Sequence, residues 1–148
     1  GMTREVISHF LFFTERVLGP LSLLSAHTTY PDEPSLCETA VLARLVSGKR
    51  QEVSILATVG GIQPERQEFT VKGTKTSRRI TDFHKDSISD GSDFIALREP
   101  LKDPRAISLK VQLDELSLLL AAKLNRLATI DEAFRVQALV ESILARTI

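Results

Sequence analysis

Glu38-Thr-Ala-Val-Leu-Ala-Arg-Leu-Val-Ser-Gly-Lys-Arg-Gln-Glu-Val-Ser-Ile-Leu-Ala-Thr-Val59 decides the fold class. Val41, Ala43 and Leu45 alternate along its first half, and Val53, Ile55, Ala57 and Val59 along its second. A period of two belongs to a strand that lays one face on a core. Ser47-Gly48-Lys49-Arg50 is a short glycine-containing turn, so residues 38–46 and 51–59 are predicted to pair as an antiparallel hairpin. Leu42 and Leu56 put apolar side chains on the second face as well, which points to a face covered by another subunit.

Outward from the hairpin, the period of two persists. Residues 21–30 form a strand candidate that ends at Pro31-Asp32-Glu33-Pro34. Residues 67–71 and 77–83 read as a second hairpin around Gly73, and 94–97 as a last short strand. Ser89-Asp90-Gly91-Ser92-Asp93 reads as loop. Both ends of the chain switch to a helical period. Ile7, Leu11 and Leu18 share a stripe of a helix over 4–18, which Gly19-Pro20 terminates. Asp103-Pro104 offers an N-cap with proline at the first helical position, followed by Leu109, Leu113, Leu116 and Leu120. Thr129-Ile130-Asp131-Glu132 matches the capping box of a final helix. The prediction is an α+β fold in a single domain, 1–148: an N-terminal helix, an antiparallel or mixed sheet of about five or six strands, and two C-terminal helices packed on one face.

The chain has 148 residues, enough for one domain with a real core, and 43% of them are apolar. Lys+Arg and Asp+Glu balance at 19 each, which gives no electrostatic reason to expect nucleic acid or an anionic membrane. No apolar run is long enough to span a bilayer, and no secretory signal pattern opens the chain. The lone Cys37 cannot form an intramolecular disulfide, which fits the cytoplasm. With Glu38 beside it, this thiol is expected to be structural rather than nucleophilic. Gly1 ahead of Met2 reads as the scar of a cleaved tag.

The sequence carries no G-x-G-x-x-G or G-x-x-x-x-G-K-[ST], no C-x-x-C or H-E-x-x-H, and no G-x-S-x-G. Local motifs for a pyrophosphate cradle, a zinc site or a serine nucleophile are therefore absent. Three histidines remain. His27 falls on a strand and His84 near a loop, both read as structural or solvated. His9 lies four residues after Glu5 on the first helix. That spacing sets a carboxylate and an imidazole about one turn apart on one face. A carboxylate in that place orients the ring, fixes its tautomer and favours its protonated form, as general acid–base chemistry requires. A solvated i,i+4 pair gives the same spacing.

Read as a string, Glu5-Val-Ile-Ser-His9-Phe-Leu-Phe-Phe-Thr-Glu-Arg-Val-Leu18-Gly19 resembles the helix that opens the C-terminal domain of the glucose–fructose oxidoreductase/inositol dehydrogenase/MocA family. Phe69-Thr-Val71-Lys-Gly73-Thr74 is similar to a late strand of that family, and the stretch from Leu127 to Val136 to the start of its final helix. The resemblance runs over essentially the whole chain. It implies a C-terminal α+β domain with an open, mostly antiparallel sheet, one that completes a substrate pocket for a sugar, cyclitol or related polyol and assembles homodimers or tetramers through the open sheet face. It implies that His9 contacts the reacting hydroxyl or carbonyl and acts in proton transfer, and that Glu5 binds or orients substrate. It also implies an NAD(P)-binding Rossmann domain, supplying a catalytic lysine, that this chain lacks. On that reading the chain binds no cofactor and is inactive alone. The family's pattern is broken at Phe12, where many relatives carry aspartate, and at Glu15, with arginine falling one place later at Arg16. The alternative is a free-standing dimerising or small-ligand-binding module without catalysis, which could pair with a separate nucleotide-binding protein.

Overall fold

The computed structural model describes residues 1–145, which divide into two compact units. One runs over Gly1–Ile62 and resumes at Ala128; the other is Gln63–Leu127. The class is the expected α+β, with seven strands in two antiparallel sheets.

The first unit is built on the predicted hairpin. Strands β2 (Ala40–Ser47) and β3 (Glu52–Thr58) pair with Val41 opposite Ala57, Ala43 opposite Ile55 and Leu45 opposite Val53. The turn closes with Arg50 in the left-handed region (φ 63°). The Ser47 hydroxyl there accepts from the Lys49 and Gln51 N–H groups at 3.3 and 3.2 Å. Strand β1 (Leu21–Thr29) pairs with the other side of β2, with a bulge between Leu23 and Ser25. An N-terminal helix, whose last eleven residues are α1 (Ser8–Leu18), and α3 (Ile130–Leu144) supply the rest of the core. Ile7 and Leu11 meet Val41, Ala43 and Leu45 from the sheet and Val136, Leu139, Val140, Ile143 and Leu144 from α3. Ile7 and Leu11 lie on the predicted helix stripe, and Val41, Ala43 and Leu45 on the predicted alternating face of the hairpin.

The end carbonyls of α3 have no partner within the helix. Thr28 donates its hydroxyl to the Ile143 carbonyl at 2.7 Å, and Tyr30 donates its own to Leu144 at 2.8 Å. The other end of α3 is the predicted capping box: Thr129 Oγ1 accepts from the Glu132 N–H at 3.2 Å, and Glu132 Oε2 accepts from the Thr129 N–H at 2.8 Å.

The second unit is a four-strand meander, β4 (Glu68–Lys72), β5 (Ser77–Thr81), β6 (Lys85–Ser89) and β7 (Ile95–Ala96), followed by α2 (Pro104–Leu120). Asp103 caps α2 by accepting from the Ala106 N–H at 3.0 Å, as the Asp-Pro pair predicts. Strand β6 was not expected, because Lys85-Asp-Ser-Ile-Ser89 offers one apolar residue and no alternation. It forms because β5 provides a ladder, with Arg78 opposite Ile88 and Ile80 opposite Asp86.

Candidate functional site

Glu5 and His9 lie on the helix that opens the chain, on opposite sides of a change in its winding. Thr3–Ile7 is π-helical: the Ser8 N–H reaches back five residues to the Thr3 carbonyl. Such single π-turns within α-helices recur at functional sites. α-Helical winding resumes at Ser8, so His9 stands in the first turn of α1. Both side chains are exposed. The Glu5 carboxylate accepts from the Gly1 amino group at 3.1 Å. Phe13, one turn beyond His9, is also exposed and extends the row to Glu5–His9–Phe13. Sequence reasoning missed Phe13, although its spacing of four from His9 was a usable signal.

This helix is fastened to α3 by three charged contacts. Arg4 forks onto Glu141, with Nε and Nη2 at 2.9 and 2.6 Å from its two carboxylate oxygens. Arg16 forks onto Glu132 at 3.0 and 2.8 Å. Bidentate pairing of this kind fixes geometry as well as adding attraction. Between them Arg135 Nε donates to Glu15 at 3.3 Å. Because the start of the first helix meets the end of α3, and its end meets the start of α3, the two run antiparallel. The Arg16 hydrogen bond, with help from the Thr129 N–H, holds the Glu132 carboxyl down to about 2.

The two positions that depart from the resembled pattern have structural employment. Phe12 packs against the core. Glu15 is buried and its other oxygen accepts from the Leu21 N–H at 3.1 Å, bracing the turn from α1 into β1. Glu38 is a third buried anchor, accepting from the Thr3 N–H at 2.6 Å. Burial opposes its charge, yet hydrogen bonding led by the Thr3 N–H prevails and its carboxyl lies below the usual range. Thus Arg4, Glu15, Arg16 and Glu38 orient the helix that carries Glu5 and His9.

The remaining candidates are scattered. Cys37 is exposed on the loop ahead of β2. His27 sits on the outer face of β1, opposite Leu42 of β2, which in turn faces Leu56 of β3. Leu42 and Leu56 are 55% and 80% exposed, so this row leaves an apolar stripe open in the isolated chain. His84 ends the β5–β6 turn. No group of His, Cys, Asp and Glu among the described residues is arranged to hold a metal ion. Every strand pair among them is antiparallel, so the parallel strand–loop–helix unit that cradles a dinucleotide does not occur there. None of their helices is long and apolar enough to cross a membrane.

No protein-family model matches this sequence, and no curated protein does. Solved structures do match its fold. The aldose–aldose oxidoreductase from Caulobacter crescentus, a crystal structure complexed with glycerol, aligns with a TM-score of 0.67 at 17% identity. A "putative oxidoreductase" from Thermotoga maritima aligns with a TM-score of 0.63 at 10% identity. Each alignment covers 93% of this chain and 42% of the other. The chain therefore shares its fold with part of each of these two proteins and spans less than half their length.

Proposed function

We propose that this chain is the substrate-side, sheet-containing half of a two-domain NAD(P)-dependent oxidoreductase that acts on a sugar, cyclitol or related polyol. The observation that carries the reading is the pair of coverages, 93% of this chain against 42% of an aldose–aldose oxidoreductase. The exposed Glu5–His9–Phe13 row supports it, since the helix that bears the row is clamped to α3. In this reading His9 exchanges a proton with the reacting hydroxyl or carbonyl oxygen of the substrate, and Glu5 orients the substrate or the imidazole. In this reading the nicotinamide belongs to a separate domain, and hydride transfer needs that domain.

The chain alone is expected to turn over no NAD(P)H with sugars or polyols. Turnover by the purified chain would refute the division of labour. Joined to its nucleotide-binding half, His9→Ala is expected to lower kcat about 10²–10⁴-fold, the range of a lost general acid–base. A kcat within about threefold of the parent would remove His9 from the chemistry.

The exposed Leu42–Leu56 row favours a related second reading, an assembly module. The open sheet face would then join homodimers or tetramers, with or without catalysis. Sedimentation at several concentrations tests it: a concentration-independent dimer or tetramer that Leu56→Lys dissociates is the expected result, and a monomer throughout would refute it. An in-frame G-x-G-x-x-G upstream of Met2 in the gene would favour the catalytic reading over the free-standing module.

A further inference from the structure

The second unit contains a cleft unrelated to Glu5 and His9. It lies between the β5–β6 turn (Asp82, Phe83, His84) and the first half of α2, and has a volume of about 410 Å³. Small-molecule sites fall in the range of roughly 300–1,000 Å³. On the helix side, Arg105, Ser108, Leu109 and Gln112 line it. They are spaced i, i+3, i+4 and i+7, one face of the helix.

Arg105 distinguishes this cleft from ordinary surface. Arg66 and Arg79 face Glu68, Arg78 and Arg98 face Asp86, and Arg126 faces Glu115. Arg105 is the remaining arginine of the unit, and it has no carboxylate or hydrogen-bond partner among the described residues. The acidic groups around it are engaged. Asp82 takes the Lys85 ammonium at 2.6 Å, and Asp103 takes the Ala106 N–H. The cleft therefore carries one guanidinium without an ion-pair partner among the described residues, with the His84 imidazole on the facing wall. Ser108 and Gln112 add hydrogen-bonding groups, and Phe83, Pro104 and Leu109 add apolar walls.

We infer that this cleft binds a small organic carboxylate with an apolar or aromatic body. The guanidinium fork matches a carboxylate in two parallel hydrogen bonds. Phe83, Pro104 and Leu109 favour an organic acid over inorganic phosphate, which would leave those walls unused.

The test is titration of the isotope-labelled chain with benzoate, followed by amide NMR, with inorganic phosphate as the comparison anion. Benzoate is expected to shift the amides of residues 82–84 and 105–112 and to saturate at millimolar concentration. Phosphate is expected to shift them less. Arg105→Gln should weaken benzoate binding about tenfold or more, as loss of a charge-assisted pair does. His84→Asn, on the opposite wall, should weaken it by a smaller factor. The proposal is overturned if benzoate shifts no localised set of amides, if phosphate matches it, or if neither substitution changes the affinity.

Discussion

The two units solve the problem of stability differently. Every buried apolar side chain among the described residues belongs to the first unit: Ile7, Leu11, Val41, Ala43, Leu45, Val136, Leu139, Val140, Ile143 and Leu144. In the second unit the buried residues are polar, Ser89 and Glu115. Each is there because it satisfies backbone groups. Ser89 accepts from the Gly91 N–H and donates to the Ser92 carbonyl; Glu115 accepts from both the backbone and the side chain of Arg126. Meanwhile Ile107, Leu109, Val111, Leu113, Leu116, Leu118, Leu119 and Leu120 of α2 remain exposed. Apolar burial is the dominant favourable term in folding, whereas a net hydrogen bond contributes modestly. The first unit should therefore set the global stability, and the second should open by smaller, local steps.

The largest effect is expected at the centre of the first unit. Leu45 is 0% exposed. Leu45→Ala should cost about 2–5 kcal/mol in denaturant unfolding. A cost below about 1 kcal/mol would contradict the assignment of the core. Hydrogen exchange sharpens the contrast without mutation: amides of β2 should be protected to the global limit, and those of β4–β6 should exchange through smaller openings. Equal protection in the two sheets would break the comparison.

Acid should act on the charged clamp of the first unit. Glu132 is held to about 2 by Arg16, and Glu141 is lowered chiefly by its hydrogen bond from Arg4. Their folded values lie below the unfolded value of 4.5. Their contribution is therefore full above that value and is lost as pH falls through the folded ones. The Tm should drop between about pH 4.5 and 2, and Glu132→Gln should flatten that part of the curve. An unchanged pH profile in the variant would remove the Arg16–Glu132 pair from the account. The smallest effect is expected at Leu120, 80% exposed at the end of α2. Leu120→Gln should change stability by no more than about 0.5 kcal/mol. A large loss there would mean that the α2 leucines are covered in solution.

How much the sequence reveals follows the same division. In the first unit, burial writes a period into the chain, and so the helix stripe, the β2–β3 hairpin and the Thr129 cap are all legible. In the second, β6 leaves no such trace, because its ladder hydrogen bonds are made by backbone, which every residue carries. The separation into two sheets is hidden for a related reason: alternation reports which face a side chain takes, not which strand lies beside it. Of the candidate site, the Glu5–His9 spacing is legible. The clamp that orients it is not, since Arg4 and Glu141 lie 137 residues apart and Arg16 and Glu132 lie 116 apart.

The π-turn at Thr3–Ile7 amounts to one surplus residue threaded into an otherwise α-helical path. Removing a single residue from it would restore uniform winding and leave α1, with His9, where it stands. Everything before the deletion would swing by about 100° around the helix axis. Arg4 would leave Glu141, Thr3 would leave Glu38, and Glu5 would turn to a different azimuth. The aim of the carboxylate relative to the imidazole is thus set by counting residues, and a single-codon insertion or deletion could re-aim this row while the strands of the sheet kept their pairing.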